Sequence, residues 1–274
     1  MILKRNASII IVIDFTNKSI NAIKQTYTLA KSLNAKITLM CVGLEAENTK
    51  TNELIEITDI TKNESGLEVD SVYISGNIFK SIIQKAIEIE SSLIVVDLNT
   101  DVKLQPFYSP AEIYKFLKKA PCPVFTIREI DNRSVCKNIL MQIDLSAESR
   151  EKVGVVIQLA KIFNSSVSII SVFPPNNEKY ENDLLPYINQ VKKYIKSQGV
   201  SCSNKSICSN DLSDSILNYA INNNCDLIVQ MNKQNLSLKE MLFGTLTNKI
   251  VQNSAIPVLS VNPMKRESIS SGIH

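Results

Sequence analysis

The segment LAKSLNAKITLMCV, Leu29 to Val42, recurs as LAKIFNSSVSIISV, Leu159 to Val172, 130 residues further along (159 − 29). At the same offset, SIIIVIDFT (Ser8 to Thr16) matches NILMQIDLS (Asn138 to Ser146), which puts Asp144 on Asp14. Later matches need an offset of 134 (226 − 92): SLIVVDL (Ser92 to Leu98) with DLIVQMN (Asp226 to Asn232), and KAPCPVFTI (Lys119 to Ile127) with NSAIPVLSV (Asn253 to Val261). A constant offset with one small insertion is the mark of tandem copies of one domain. The first copy is expected over residues 1–130 and the second over 131–274, with the boundary in the polar stretch Glu129 to Ser134 and a flexible tail from about residue 263.

Each copy alternates short apolar runs with helical patterns. IIIVI, ITLMCV and LIVV are apolar throughout, as in strands covered on both faces. Ile20, Ile23, Ala30 and Leu33 recur at near-helical spacing, as do Val153, Val156, Ala160 and Phe163. Leu184, Ile188, Val191 and Ile195 mark another helix, whose counterpart near Glu53 to Ile60 reads as shorter and less regular. Strand three is the weakest, VYIS (Val72 to Ser75) and SIC (Ser206 to Cys208). A proline precedes each last strand, where it ends the helix without removing a ladder bond. The expected fold class is therefore α/β: two tandem doubly wound domains, each a parallel sheet of five strands flanked by helices.

The chain has 274 residues, 44% hydrophobic and 21% charged, enough for two cores in a globular protein. A net charge of +3, with no basic run longer than two residues, argues against nucleic acid as a partner. The start MILKRNASIIIVID is cut by Asp14 too early for a signal peptide, and no run approaches a membrane span. Six cysteines without CxxC spacing read as reduced thiols of a cytoplasmic protein, with Cys202 and Cys208 the pair open to oxidation.

In such sheets a ligand sits beyond the carboxyl ends of the strands. Asp14 and Asp144 end the first strands, and Val42 and Val172 the second. Each aspartate can accept from a ribose hydroxyl or an adenine amine, or can hold the start of the following helix; the residues leave both open. The seven glycines stand at least ten residues apart, which excludes GxGxxG and the P-loop. The sole histidine is His274, so no histidine-dependent catalytic arrangement or His/Cys metal cluster is expected, and the chain reads as no enzyme.

IDFT and IDLS, the LAK…NA-K-I-T-L passage, DLIVQM, and the APCPV and SAIPV endings resemble, in this order and twice, the universal stress protein family. The resemblance covers nearly the whole chain. It implies the sheet order 3-2-1-4-5 and, in many members, ATP held by a loop G-x2-G-x9-G-[S/T] after strand four. FGTLTNKIV keeps the end of that pattern in Gly244 and Thr245, which would open a helix able to accept an anion. Met231 and Gln234 replace the two earlier glycines. In the first copy, Pro110 and Ala111 stand for Gly244 and Thr245, and Asp97 and Thr100 for the glycines, so no ATP is expected there; Phe107 and Tyr108 are expected to pack.

Two functions follow. One is a regulatory or protein-binding module of the stress response, with nucleotide binding lost or weakened. The other is an adenine-nucleotide sensor, binding ATP or AMP through Asp144, Val172, Gly244 and Thr245. The resemblance also implies edge-to-edge pairing of last strands, here VFTI (Val124 to Ile127) with VLSV (Val258 to Val261), an internal pseudo-dimer. A homodimer and an unidentified protein partner are the other expected associations.

Overall fold

The computed structural model describes residues 2–43, 48–97, 109–127, 136–232 and 246–264. In the first repeat the strands are β1 (Ser8–Val12), β2 (Lys36–Gly43), β3 (Val69–Ser75), β4 (Leu93–Asp97) and β5 (Val124–Ile127). The helices between them are α1 (Asn17–Leu33), α2 (Asn48–Ser65), α3 (Ile78–Glu88) and α4 (Pro110–Lys119). The second repeat follows with β6 (Asn138–Gln142), α5 (Val153–Phe163), β7 (Ser166–Phe173), α6 (Glu178–Ser197), β8 (Cys202–Cys208), α7 (Leu212–Asn222), β9 (Leu227–Met231), α8 (Leu246–Asn253) and β10 (Val258–Val261). The boundary expected at residues 129–134 lies outside the described residues, as do Thr100, Phe107, Tyr108 and Gln234.

The repeated LAK…N passage has a local cause. Asn34 and Asn164 end α1 and α5 with φ of 50° and 52°, the left-handed conformation that asparagine tolerates well. The chain then turns directly into the next strand. At the other end of α1, Thr16 caps the helix.

Strand order runs β3-β2-β1-β4-β5-β10-β9-β6-β7-β8. Each repeat thus has the expected order 3-2-1-4-5, and the two halves merge into one ten-stranded sheet. All pairings are parallel except the central one, where β10 lies antiparallel to β5 with Leu259 opposite Phe125. The predicted pairing of VFTI with VLSV is present.

Alternate side chains of the strands feed two cores that both run through the two repeats. Ile9, Ile11, Ile139 and Met141 face α1, α2, α5 and α6; Ile10, Val12, Leu140 and Ile170 face α3, α4, α7 and α8. Side chains also cross the junction. Gln158 binds the backbone of Leu3 in both directions, at 2.7 and 3.0 Å, and the Asn262 amide donates to Leu117 and Ala120 carbonyls at the end of α4. In the tail, the Met264 amide donates to Glu151 at 2.7 Å; residues 265–274 lie outside the described residues.

Two readings need correction. Strand three extends beyond VYIS and SIC to seven residues in each repeat. Helix α2 is shorter than α6, at 18 residues against 20, but it extends well beyond Glu53 to Ile60. Its inner face carries hydroxyls, which hid the apolar period. Thr58 and Ser65 are buried by donating to the carbonyls of Leu54 and Thr61 one turn back, at 2.7 and 2.6 Å.

All six cysteines are free. Cys202 and Cys208 stand at opposite ends of β8; Cys208 is exposed, whereas Cys202 is buried and its thiol is pushed up to about 11, which disfavours the reactive thiolate there. Because both cores continue across the β5–β10 junction, residues 1–130 and 131–274 expressed separately should self-associate or precipitate. Light scattering would show this, and two well-behaved monomers would refute it.

Candidate functional site

Beyond the carboxyl ends of β1 and β6 the two repeats place an aspartate in similar hydrogen bonds with the hydroxyl residues that follow it. Asp14 accepts from the Thr16 amide at 3.0 Å and the Thr16 hydroxyl at 2.6 Å. The Thr16 hydroxyl accepts from the Ser19 amide at 3.4 Å, and Ser19 donates back to the Thr16 carbonyl at 3.0 Å. Asp144, Ser146 and Ser149 repeat this arrangement, with the Ser146 amide 2.8 Å from the carboxylate and the Ser149 amide 3.1 Å from the Ser146 hydroxyl. Asp14 thus supports the Thr16 cap of α1, whereas the Asp144 turn leads into a 3-10 turn, Glu148–Arg150, and α5 begins at Val153 with no side-chain cap.

Val172 is 7% exposed and packs in the core facing α7 and α8, so its side chain is not displayed to a ligand. Gly244 and Thr245 lie outside the described residues; α8 is described from Leu246 onward. The structure therefore places two of the four expected site residues, Asp144, half-buried, and Val172, buried. In the first repeat, Pro110 takes the first position of α4 after a Ser109–Glu112 capping box.

The repeats differ beneath this shared turn. Lys152 is fully buried where the first repeat has Ala22. Its ammonium donates to the Ser149 carbonyl at 2.8 Å. Burial lowers its pKa to about 8, against the pull of the Asp144 charge. Sequence reasoning missed Lys152, although the offset that pairs it with Ala22 on the inner face of α1 was enough to flag it.

A second difference lies at the end of strand four. Gln230 and Asn232 are buried, whereas Val96 holds the position of Gln230 in the first repeat. Gln230 donates to the Thr247 carbonyl and the Ser260 hydroxyl, both at 3.3 Å, and Asn232 donates to the Leu117 carbonyl and to Asn262, at 3.3 and 2.9 Å. The amide oxygens of both are buried with no partner among the described residues. Acceptors left this way call for a donor. Among the described residues no group of three His, Cys, Asp or Glu side chains could hold a metal ion. No described helix is long and apolar enough to cross a membrane.

A tandem pair of five-stranded α/β units, joined edge to edge and with its polar groups at the carboxyl ends of the strands, defines the class. The family model described as "Universal stress protein family" matches residues 136–262. The second repeat belongs to the universal stress protein family, and the chain carries its fold in tandem. A universal stress protein from Archaeoglobus fulgidus DSM 4304 is similar in fold, with a TM-score of 0.77 at 14% identity over 96% of this chain and 98% of that one. A functionally unknown protein from Pseudomonas aeruginosa PAO1 gives 0.71 at 18% identity over 93% and 92%. The cytoplasmic domain of a prokaryotic cation chloride cotransporter gives 0.55 at 12% identity over 94% and 96%. No curated protein matches the chain.

Lys152 predicts a specific pH dependence. Its folded pKa of about 8 lies below the ordinary 10.5. Between those values the unfolded chain holds a proton that the folded chain has lost, so stability gained from this group rises with pH across that window. Below pH 8 the burial penalty is full. Lys152→Met should stabilise the protein at neutral pH by about 3 kcal/mol and flatten its stability profile between pH 8 and 10.5 relative to the wild type. Urea unfolding of both proteins across that range is the check.

Proposed function

We propose that this chain is a non-catalytic regulatory module of the universal stress type, acting in the cytoplasm through contact with another protein, with nucleotide binding lost or weakened. The observation that carries this reading is the engagement of both strand-one carboxylates within their own turns, by Thr16 ahead of α1 and by Ser146 in the second repeat. A ligand amine or hydroxyl would have to compete with two internal donors in each repeat. In the first repeat, Pro110 also offers no amide at the start of α4. A homodimer in addition to the internal pair is compatible with this role.

A second reading, an adenine-nucleotide sensor working through the second repeat, draws support from the buried oxygens of Gln230 and Asn232, which have no partner among the described residues. An exocyclic amine or a ribose hydroxyl is a donor of the kind they lack. Gly244 and Thr245 would contribute the anion-accepting end of the glycine loop.

Calorimetric titration of the full chain with ATP and with AMP separates the two. The regulatory reading expects no saturable heat up to millimolar nucleotide. Saturable binding to one site per chain, abolished by Gly244→Pro, would replace it with the sensor. Pro110→Gly should create no site in the first repeat, because Asp97 remains to repel phosphate.

A further inference from the structure

Helices α3 and α4 of the first repeat leave an open groove of about 560 Å³ between them. Its floor is the stacked pair Phe79 and Phe116, with ring centroids 4.7 Å apart. Both rings are buried, at 9% and 1% exposure, so they offer an apolar base and cannot sandwich a nucleotide base. Ile83 lines the groove, and at its edge Ile87 is 61% exposed.

The rim is basic. Lys80 on α3 faces the groove with Lys115 and Lys119 on α4, and all three side chains are exposed. The acidic residue lining the groove, Glu112, is drawn to the start of α4, where its carboxylate accepts from the Ser109 amide at 3.0 Å and hydroxyl at 2.7 Å.

The fold does not require the phenylalanine floor or the basic rim, because the second repeat lacks most of both. At the corresponding places on α7 and α8, Ser213 replaces Phe79, Asp214 replaces Lys80 and Asn253 replaces Lys119; Lys249 matches Lys115, and Ile221, 57% exposed, matches Ile87. One repeat thus offers three lysines around an apolar trough, and the other one lysine with Asp211 and Asp214.

We propose that the α3–α4 groove is the docking site for an acidic amphipathic segment of a partner protein. Aliphatic side chains of that segment would cover Ile83 and Ile87, and its carboxylates would meet Lys80, Lys115 and Lys119. This inference rests on the regulatory, protein-binding reading and names the chemistry of the partner. Charge complementarity sets the partner's sign, and the apolar trough demands more than charge.

The test uses the full chain and a fluorescein-labelled synthetic helix of about 14 residues, leucine on one face and glutamate elsewhere. A second peptide carries lysine in place of every glutamate. Anisotropy should show saturable binding of the glutamate peptide alone, weakened at least about tenfold when salt rises from about 50 to about 500 mM. Lys80→Glu combined with Lys115→Glu should weaken it by about tenfold or more, and Ile87→Asp should do so independently. These positions are exposed, and circular dichroism verifies that the variants stay folded.

No binding of the glutamate peptide, equal binding of the lysine peptide, or binding indifferent to all three substitutions would overturn the proposal. So would tighter binding of the chain to anionic phospholipid vesicles than to the peptide, with the same residues required. Failure here with silent nucleotide titrations leaves the regulatory reading standing and removes only the groove. Saturable nucleotide binding removes the reading itself.

Discussion

A parallel sheet of five strands has two edges, each a row of unpaired amides and carbonyls that invites another strand. The chain removes two of its four by joining them. Val258, Leu259 and Ser260 of β10 pair antiparallel with Thr126, Phe125 and Val124 of β5, and the Thr126 hydroxyl adds a bond to the Val258 carbonyl at 3.1 Å. Everything that crosses the molecule depends on this contact. It aligns the strands so that the cores on both faces continue from one repeat into the next, and it carries the end of α4 to Asn262, whose amide satisfies carbonyls that a helix terminus leaves open. The remaining edges, β3 and β8, are polar. At one of them Lys36 bridges Glu68 and Asp70, at 2.7 and 3.0 Å.

Within this near-symmetric frame the repeats have diverged in opposite senses. The second has become polar inside, with Lys152 under the Asp144 turn and Gln230 and Asn232 at the end of β9. The first is apolar at those places, with Ala22 and Val96, and instead keeps its distinctive chemistry on the outside of α3 and α4. Buried polar groups with unfilled valences suit a small ligand or a precise internal network, whereas an exposed trough rimmed by charge suits another macromolecule. The two candidate activities therefore sit in different halves and can be lost independently.

Much of this was legible in the sequence because its signals are local. Continuous apolar runs, a helix stop at Asn34 and Asn164, and prolines before the last strands each act over a few residues, and repetition at a fixed offset made them unambiguous. The turn at Asp14 and Asp144 was half legible: the spacing to Thr16 and Ser146 allowed a local bond, but the same carboxylates also suited a ligand. Helix α2 misled because its buried face uses Thr58, Thr61 and Ser65, and the hydroxyls of Thr58 and Ser65 are silenced by carbonyls of their own helix.

The sequence by itself determined the tandem α/β units, their strand order through the family resemblance, and the missing glycines of the phosphate loop. Only the tertiary structure decided that Lys152 is interior, that the Gln230 and Asn232 oxygens have no donor among the described residues, and that Phe79 and Phe116 floor a groove ringed by lysines. The reason is that burial and juxtaposition are properties of surfaces brought together from distant segments. A lysine in a helical pattern looks solvated until the neighbouring elements close over it, and two phenylalanines 37 positions apart (116 − 79) become one surface only when α3 and α4 lie side by side on the sheet.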